Sequence, residues 1–148
     1  MSVQLNHTIV RVRDKHESAS FFADILGLPP AFPFGPFLVL EAANHVSLDF
    51  ADDHGEPVPA HYAFLVTEAE FDQIFDRIKA RGLPYWADPI HRKPGQINTN
   101  DGGRGVYWDD PNGHALEIIT RPYGSSGEDM TETAETVRQN QDRLPGGR

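Results

Sequence analysis

Residues 103–124, GRGVYWDDPNGHALEIITRPYG, decide the fold of this chain. They read as a β-hairpin in which 105–109 form one strand, Asp110-Pro111-Asn112-Gly113 the turn and 114–120 the second strand. Proline presets φ for a reversal and Asn-Gly tolerates the positive φ of a tight one, so the turn is fixed by its chemistry. In the second strand Ala115, Glu117 and Ile119 share one face, and Leu116, Ile118 and Thr120 the other. Both faces are apolar, which puts Glu117 in the middle of a strand buried on both sides. A carboxylate there is costly unless it is paired, hydrogen-bonded or bound to a metal. An inward glutamate held by an arginine or by tyrosine hydroxyls and a glutamate holding a metal are the two readings.

Outward from the hairpin, one order of elements occurs twice. Residues 4–13 alternate as a strand, with Leu5, Ile9 and Arg11 in phase with His7. Asp14 followed by Glu17 has the spacing of a capping box, and Phe22, Ile25 and Leu26 mark the apolar face of a helix that Gly27 ends. Pro29 and Pro30 forbid its continuation. Short strands follow in 32–41, broken at Gly35-Pro36, and in 45–51, which carries Asp49. After an acidic connection at 52–59 the plan repeats. Residues 61–66 form a strand, Thr67 and Glu70 a capping box, and Phe71, Ile74, Phe75 and Ile78 a helix face closed by Gly82. Tyr85-Trp86 starts a further strand, a polar loop runs over 88–103, and the hairpin completes the second half.

The expected fold is therefore α+β, two tandem βαβββ modules at about 4–51 and 61–123 within a single domain spanning 1–123. Residues 124–148 carry few apolar side chains and read as a flexible tail, weakly helical around 131–140. His7 lies seven residues before the N-cap of its helix and His61 six before its own. Leu48-Asp49 in the first half corresponds to Leu116-Glu117 in the second. Two histidines and two carboxylates thus hold matching places.

At 148 residues the chain suits one core, and 39% hydrophobic with 24% charged residues is ordinary for a water-soluble protein. A formal charge of -9 without a Lys/Arg cluster argues against nucleic acid and anionic membrane as partners. A small-molecule substrate is expected instead. The chain has no cysteine, so any metal must be held by His, Asp or Glu. The N-terminal MSVQLNHTIV lacks the pattern of a secretory signal, and a cytoplasmic location is expected.

With LNHTIV around His7, HYAFLV around His61 and YWDDPNGHALEI around Glu117, residues 4–123 resemble the vicinal oxygen chelate superfamily, which includes glyoxalase I, extradiol dioxygenases and bleomycin-sequestering proteins. The resemblance implies a cupped sheet of paired βαβββ modules. It also places His7, His61 and Glu117 on the metal-ligand positions. Two imidazoles and a carboxylate leave coordination positions open for water or a chelating substrate, the arrangement of catalytic zinc and facial-triad iron sites. One divalent metal ion is therefore expected, iron or manganese ahead of zinc or nickel. In glyoxalase I-like members the position of Asp49 supplies a fourth ligand that also moves a proton; a solvent-facing Asp49 is the other reading.

Tyr107, ten residues before Glu117, has a spacing similar to that of the active-site tyrosine of extradiol enzymes. Asn98 begins NTND where those enzymes have a histidine, and asparagine can orient a substrate but cannot relay a proton. Tyr107, Asp49 and Asn98 are the catalytic candidates. Asn100, Arg104, His91 and Tyr123 are the substrate-binding candidates, the basic ones suited to a carboxylate or phenolate. The expected function is a metal-dependent, dioxygenase-like enzyme acting on a substrate chelated through adjacent oxygens. A glyoxalase I-like lyase or isomerase is the alternative, and a metal-free binding protein using Phe32, Phe34, Phe37 and Trp86 is the second. One module pair per chain suits a homodimer. No GxSxG elbow, P-loop or strand-borne GxGxxG is present.

Overall fold

The computed structural model describes residues 2–126; the tail at 127–148, with the weak helix expected around 131–140, lies outside the described residues. The elements are β1 (His7–Val12), α1 (Lys15–Leu26), β2 (Phe32–Phe34), β3 (Phe37–Glu41) and β4 (Ser47–Asp52), then β5 (His61–Leu65), α2 (Glu68–Ala80), β6 (Tyr85–Trp86), β7 (Gly105–Asp109) and β8 (Ala115–Ile119). The βαβββ order appears twice, as the sequence indicates. The strands form two four-stranded sheets, ordered β1-β4-β3-β2 and β5-β8-β7-β6. In each, the strand before the helix pairs in parallel with the last strand, and the remaining pairs are antiparallel.

The register repeats as well as the order. His7 stands opposite Ser47, and His61 opposite Ala115. Asp49 and Glu117 lie two residues further along, facing Ile9 and Ala63. Side chains alternate across a strand, so each carboxylate shares a sheet face with its module's histidine.

Both helices start as their sequences dictate, with one difference. Thr67 and Glu70 exchange both bonds of the capping box. At α1 the Asp14 carboxylate accepts from the backbone N–H of His16 and Glu17, and the reciprocal side-chain bond is made only at α2 among the described residues. Gly27 ends α1 at φ +70°, where a Cβ would lie 2.7 Å from the Arg77 guanidinium. That guanidinium donates to the Ile25 carbonyl and ties α2 to the end of α1.

Val10, Phe22, Ile25 and Phe50 of the first module pack in one cluster with Phe71, Ile78, Trp108 and Leu116 of the second. These come from the helices and from the helix-covered face of each sheet. The opposite faces, which carry His7 and His61, are left open, with Ile9, Phe32, Phe34 and Leu65 exposed on them.

The hairpin turn also joins the modules. Of its residues only Gly113 has positive φ, at 87°. Asn112 is buried, accepting from the Arg13 N–H at 2.9 Å and donating to Ser18 Oγ at 2.8 Å. Asp110 accepts from the N–H groups of Asn112 and His114. His114, buried, accepts at Nδ1 from Ala60 N–H and donates from Nε2 to the Arg11 carbonyl. No helix among the described residues is long and apolar enough to cross a membrane.

Candidate metal centre

The open face of the second module brings four of the singled-out side chains together. Glu117 is 1% exposed, and its Oε1 lies 3.1 Å from His61 Nε2. The Tyr123 hydroxyl donates to both carboxylate oxygens, at 2.7 and 2.6 Å. Tyr107, directly across from Glu117 on β7, places its own hydroxyl 3.1 Å from that of Tyr123. Its ring lies nearly parallel to that of His61, with centroids 5.9 Å apart.

The imidazole of His61 is fixed by its second nitrogen. Nδ1 lies 3.0 Å from the Ala115 carbonyl. A carbonyl only accepts, so Nδ1 carries a hydrogen and Nε2 turns its lone pair toward a carboxylate. Two acceptors at that separation require a positive charge on or between them. A second ring proton is one solution: the hydrogen bond to Glu117 raises the His61 pKa, burial opposes the rise, and the Ala115 carbonyl adds to it. A divalent metal ion on Nε2 and the carboxylate is the other. An imidazole whose far nitrogen donates to a backbone carbonyl is the usual setting of a histidine ligand, so these residues fit a metal. Tyr107 is held well above the ordinary phenol range, chiefly by burial and then by its bond to Tyr123. Tyr123 is pushed up to about 12 by burial and by donating to Glu117. At neutral pH both hydroxyls stay protonated, as donors and not bases.

His7 does not join this group within the chain. Its Nδ1 lies 2.7 Å from Asn6 Oδ1, on the sheet of the first module. Among the described residues no three His, Asp or Glu side chains gather as a metal-binding group. Asp49, between Ile9 and Val39 on that same sheet, is half-buried, and its Oδ1 is buried with no hydrogen-bond partner.

The polar loop places three of its candidates outside this group. Arg104 is engaged by the second helix. It precedes β7 on the helix-facing side, donates to Glu68 and Asp72 of α2 and lies over the Phe71 ring. Asn98 has its amide engaged by backbone: Nδ2 donates to the Ala87 carbonyl and Oδ1 accepts from Asn100 N–H. The amide sits against Gly105, where a Cβ would come within 2.7 Å of it, so this glycine is required by close approach. Asn100 opens a short 3-10 turn and is exposed.

His91 does lie beside the site's face. It adopts φ +61°, its ring rests flat on Trp86 with centroids 3.5 Å apart, and Nε2 is 3.7 Å from Asp109. Trp86 stands opposite Tyr107, and Asp109 shares that face. Burial raises the Asp109 pKa, and His91 opposes this. The sequence reading missed the Trp86–His91 stack and the role of Asp101, whose carboxylate accepts from Gly124 and Ser126 and so positions the turn bearing Tyr123. A non-glycine at φ +57° is Asp101's structural mark, and NTNDGG gave its only sequence signal, a turn. A cavity of about 190 Å³ lined by His16, Ser20, Asp24 and Leu38 lies on the helix side and shares no residue with this site.

Comparison with known proteins agrees with this architecture. The family model described as Glyoxalase/Bleomycin resistance protein/Dioxygenase superfamily matches residues 4–118, and the chain belongs to that superfamily. Within it, the chain is similar to the solved structure of Oxidase ChaP-H1, at 64% identity and a TM-score of 0.82 over 83% of this chain and 99% of that one. Oxidase ChaP-H2 is 63% identical with a TM-score of 0.83, over 86% of this chain and 100% of the other. The Glutathione transferase FosA of Serratia marcescens is 28% identical over 124 residues, 80% of this chain and 81% of FosA.

Proposed function

We propose that the protein is a divalent-metal-dependent oxidase that works as a homodimer, each metal held by His61 and Glu117 of one copy and His7 of a second. The observation that carries this reading is the buried His61–Glu117 pair at 3.1 Å, with the far ring nitrogen of His61 fixed by a carbonyl. Likeness to an oxidase at 64% identity over nearly all of that protein's length supports the reaction class. The second copy is supported by the repeated register. His7 holds the place in its module that His61 holds in its own, and both open faces carry exposed apolar side chains that a partner's face would cover.

When bound, a divalent ion would polarise adjacent oxygens of a substrate, and iron or manganese would add the redox capacity that dioxygen chemistry needs. The chain's own residues divide the remaining work. His61 Nε2 and Glu117 hold the ion. Tyr107 offers a protonated hydroxyl beside it. Trp86, His91 and Asp109 form a wall on the same face, suited to positioning a small oxygen-rich substrate. Asp49, with an unpartnered oxygen, is the carboxylate free to accept a proton from it.

The lyase reading keeps one specific support, because Asp49 occupies the register position of Glu117 and could serve as a fourth ligand. Metal-dependent uptake of dioxygen on screening of vicinal-oxygen compounds favours the oxidase; turnover without it favours the lyase.

Metal content of His7→Ala, Glu117→Ala and their co-expressed mixture tests the shared site. Each variant alone loses bound metal. In a statistical mixture half the dimers are mixed and each regains one of two sites, so metal returns to about a quarter of the wild-type level. A mixture that stays metal-free overturns the cross-copy arrangement.

A further inference from the structure

The contacts of Tyr123 are unusual for its position. The residue is 55% exposed, yet its hydroxyl straddles both oxygens of a carboxylate that is 1% exposed. About half of the residue is thus covered, and its hydroxyl is lodged in the site. Glu117 has its remaining approach, from the side of His61, limited to Oε1. A hydroxyl donating to both oxygens lies where an ion must come to take either one with its full negative charge.

Tyr123 is also carried differently from the other site residues. His61, Tyr107 and Glu117 project from paired strands. Tyr123 stands after β8, in a turn held by the Asp101 carboxylate. Gly124 N–H reaches Asp101 Oδ2 at 3.2 Å, and Ser126 Oγ reaches Oδ1 at 2.8 Å. Asp101 itself is 8% exposed. One clasp therefore sets the reach of the tyrosine, whose hydroxyl beyond it is held only by Glu117 and Tyr107 among the described hydrogen bonds.

We infer that Tyr123 is a displaceable plug on Glu117, which an entering metal pushes aside before the glutamate can serve as its ligand. This rests on the metal reading of the site and adds to it a step that precedes ligation. Removing the hydroxyl leaves the carboxylate without its competitor, so metal binds more tightly and more quickly. Loosening the clasp at Asp101 acts in the same direction, by less.

The test is titration of metal-free wild type, Tyr123→Phe and Asp101→Asn with Mn2+ and with Zn2+, followed by calorimetry and by the near-ultraviolet tyrosine band. Loss of one charge-assisted hydrogen bond predicts binding on the order of tenfold tighter for Tyr123→Phe. It also predicts a tyrosine difference spectrum on metal addition in wild type that is absent from Tyr123→Phe. Equal or weaker binding by Tyr123→Phe, with wild type still binding metal, overturns the plug alone and makes the hydroxyl a support for the ligand. Failure of all three proteins to take up either ion overturns the metal reading and the plug together.

Discussion

Asp49 and Glu117 occupy the same register position in two sheets of the same design, and their surroundings diverge. Glu117 faces Tyr107 across one strand boundary, receives the Tyr123 hydroxyl from beyond the strand end and meets the His61 ring. Asp49 faces Val39 across the equivalent boundary, and the His7 ring turns to Asn6 instead. The chain after β4 runs off into an acidic connection that returns no side chain to Asp49 among the described hydrogen bonds. Repetition of a backbone plan therefore fixes where a carboxylate stands, but cross-strand neighbours and the segment after the last strand fix what it can do. In the second module they make a buried histidine–glutamate pair, and in the first an open face.

The sharpest way to break this contrast is to remove each carboxylate in turn. Glu117→Ala is expected to bring bound metal to background, whereas Asp49→Ala retains most of it, as measured by mass spectrometry on untagged protein. Equal losses would make the two positions equivalent and restore the four-ligand reading.

The next effect concerns the turn that joins the two regions. Asn112→Ala leaves Ser18, Asp110 and the Arg13 N–H short of a buried partner, and should lower stability by about 2–4 kcal/mol in urea unfolding. A change near zero would show that Asn112 adds nothing net to the joint between the modules.

The smallest effect is in pH. The His61 pKa is raised above 6.5 in the folded, metal-free chain. Its contribution is thus fully present below pH 6.5 and is lost as pH rises through the folded value. Metal-free wild type should lose more stability than Glu117→Gln between pH 6 and pH 9, and thermal melts across that range would show it. Parallel melting curves would remove the proton-sharing account of the pair.

Much of this was legible in the sequence. The Asp-Pro-Asn-Gly turn, the two capping signals and the period-two alternation gave the strands and the two α-helices in order, because each depends on neighbours a few residues away. The same alternation marked Glu117 as a buried acid. What could not be read was contact between distant segments. Arg104 stood out as part of a locally basic loop, while its partners lie more than thirty residues back on α2. Asn98 was a candidate by resemblance, and the bonds of its amide to the Ala87 carbonyl and the Asn100 N–H were not legible. Tyr123 was read as a substrate-binding residue, and its hold on Glu117 depends on Asp101, 22 residues earlier, clasping the turn. Asn112 was assigned a conformational role, yet Gly113 alone takes the positive φ and Asn112 serves as a cross-module hydrogen-bonding group.

That last contact bears on the order in which the protein forms. Arg13 N–H meets Asn112 across 99 residues, and the Arg11 carbonyl meets His114 across 103. The Arg13 N–H and the Arg11 carbonyl therefore lack these partners until the final hairpin has been synthesised, although Val12 already bonds Asp53. On a ribosome the first module can collapse around Phe22 and Phe50, but its seam waits for the last strand pair to emerge. Contacts of such sequence separation slow folding, and here they leave closure of the seam as a late event.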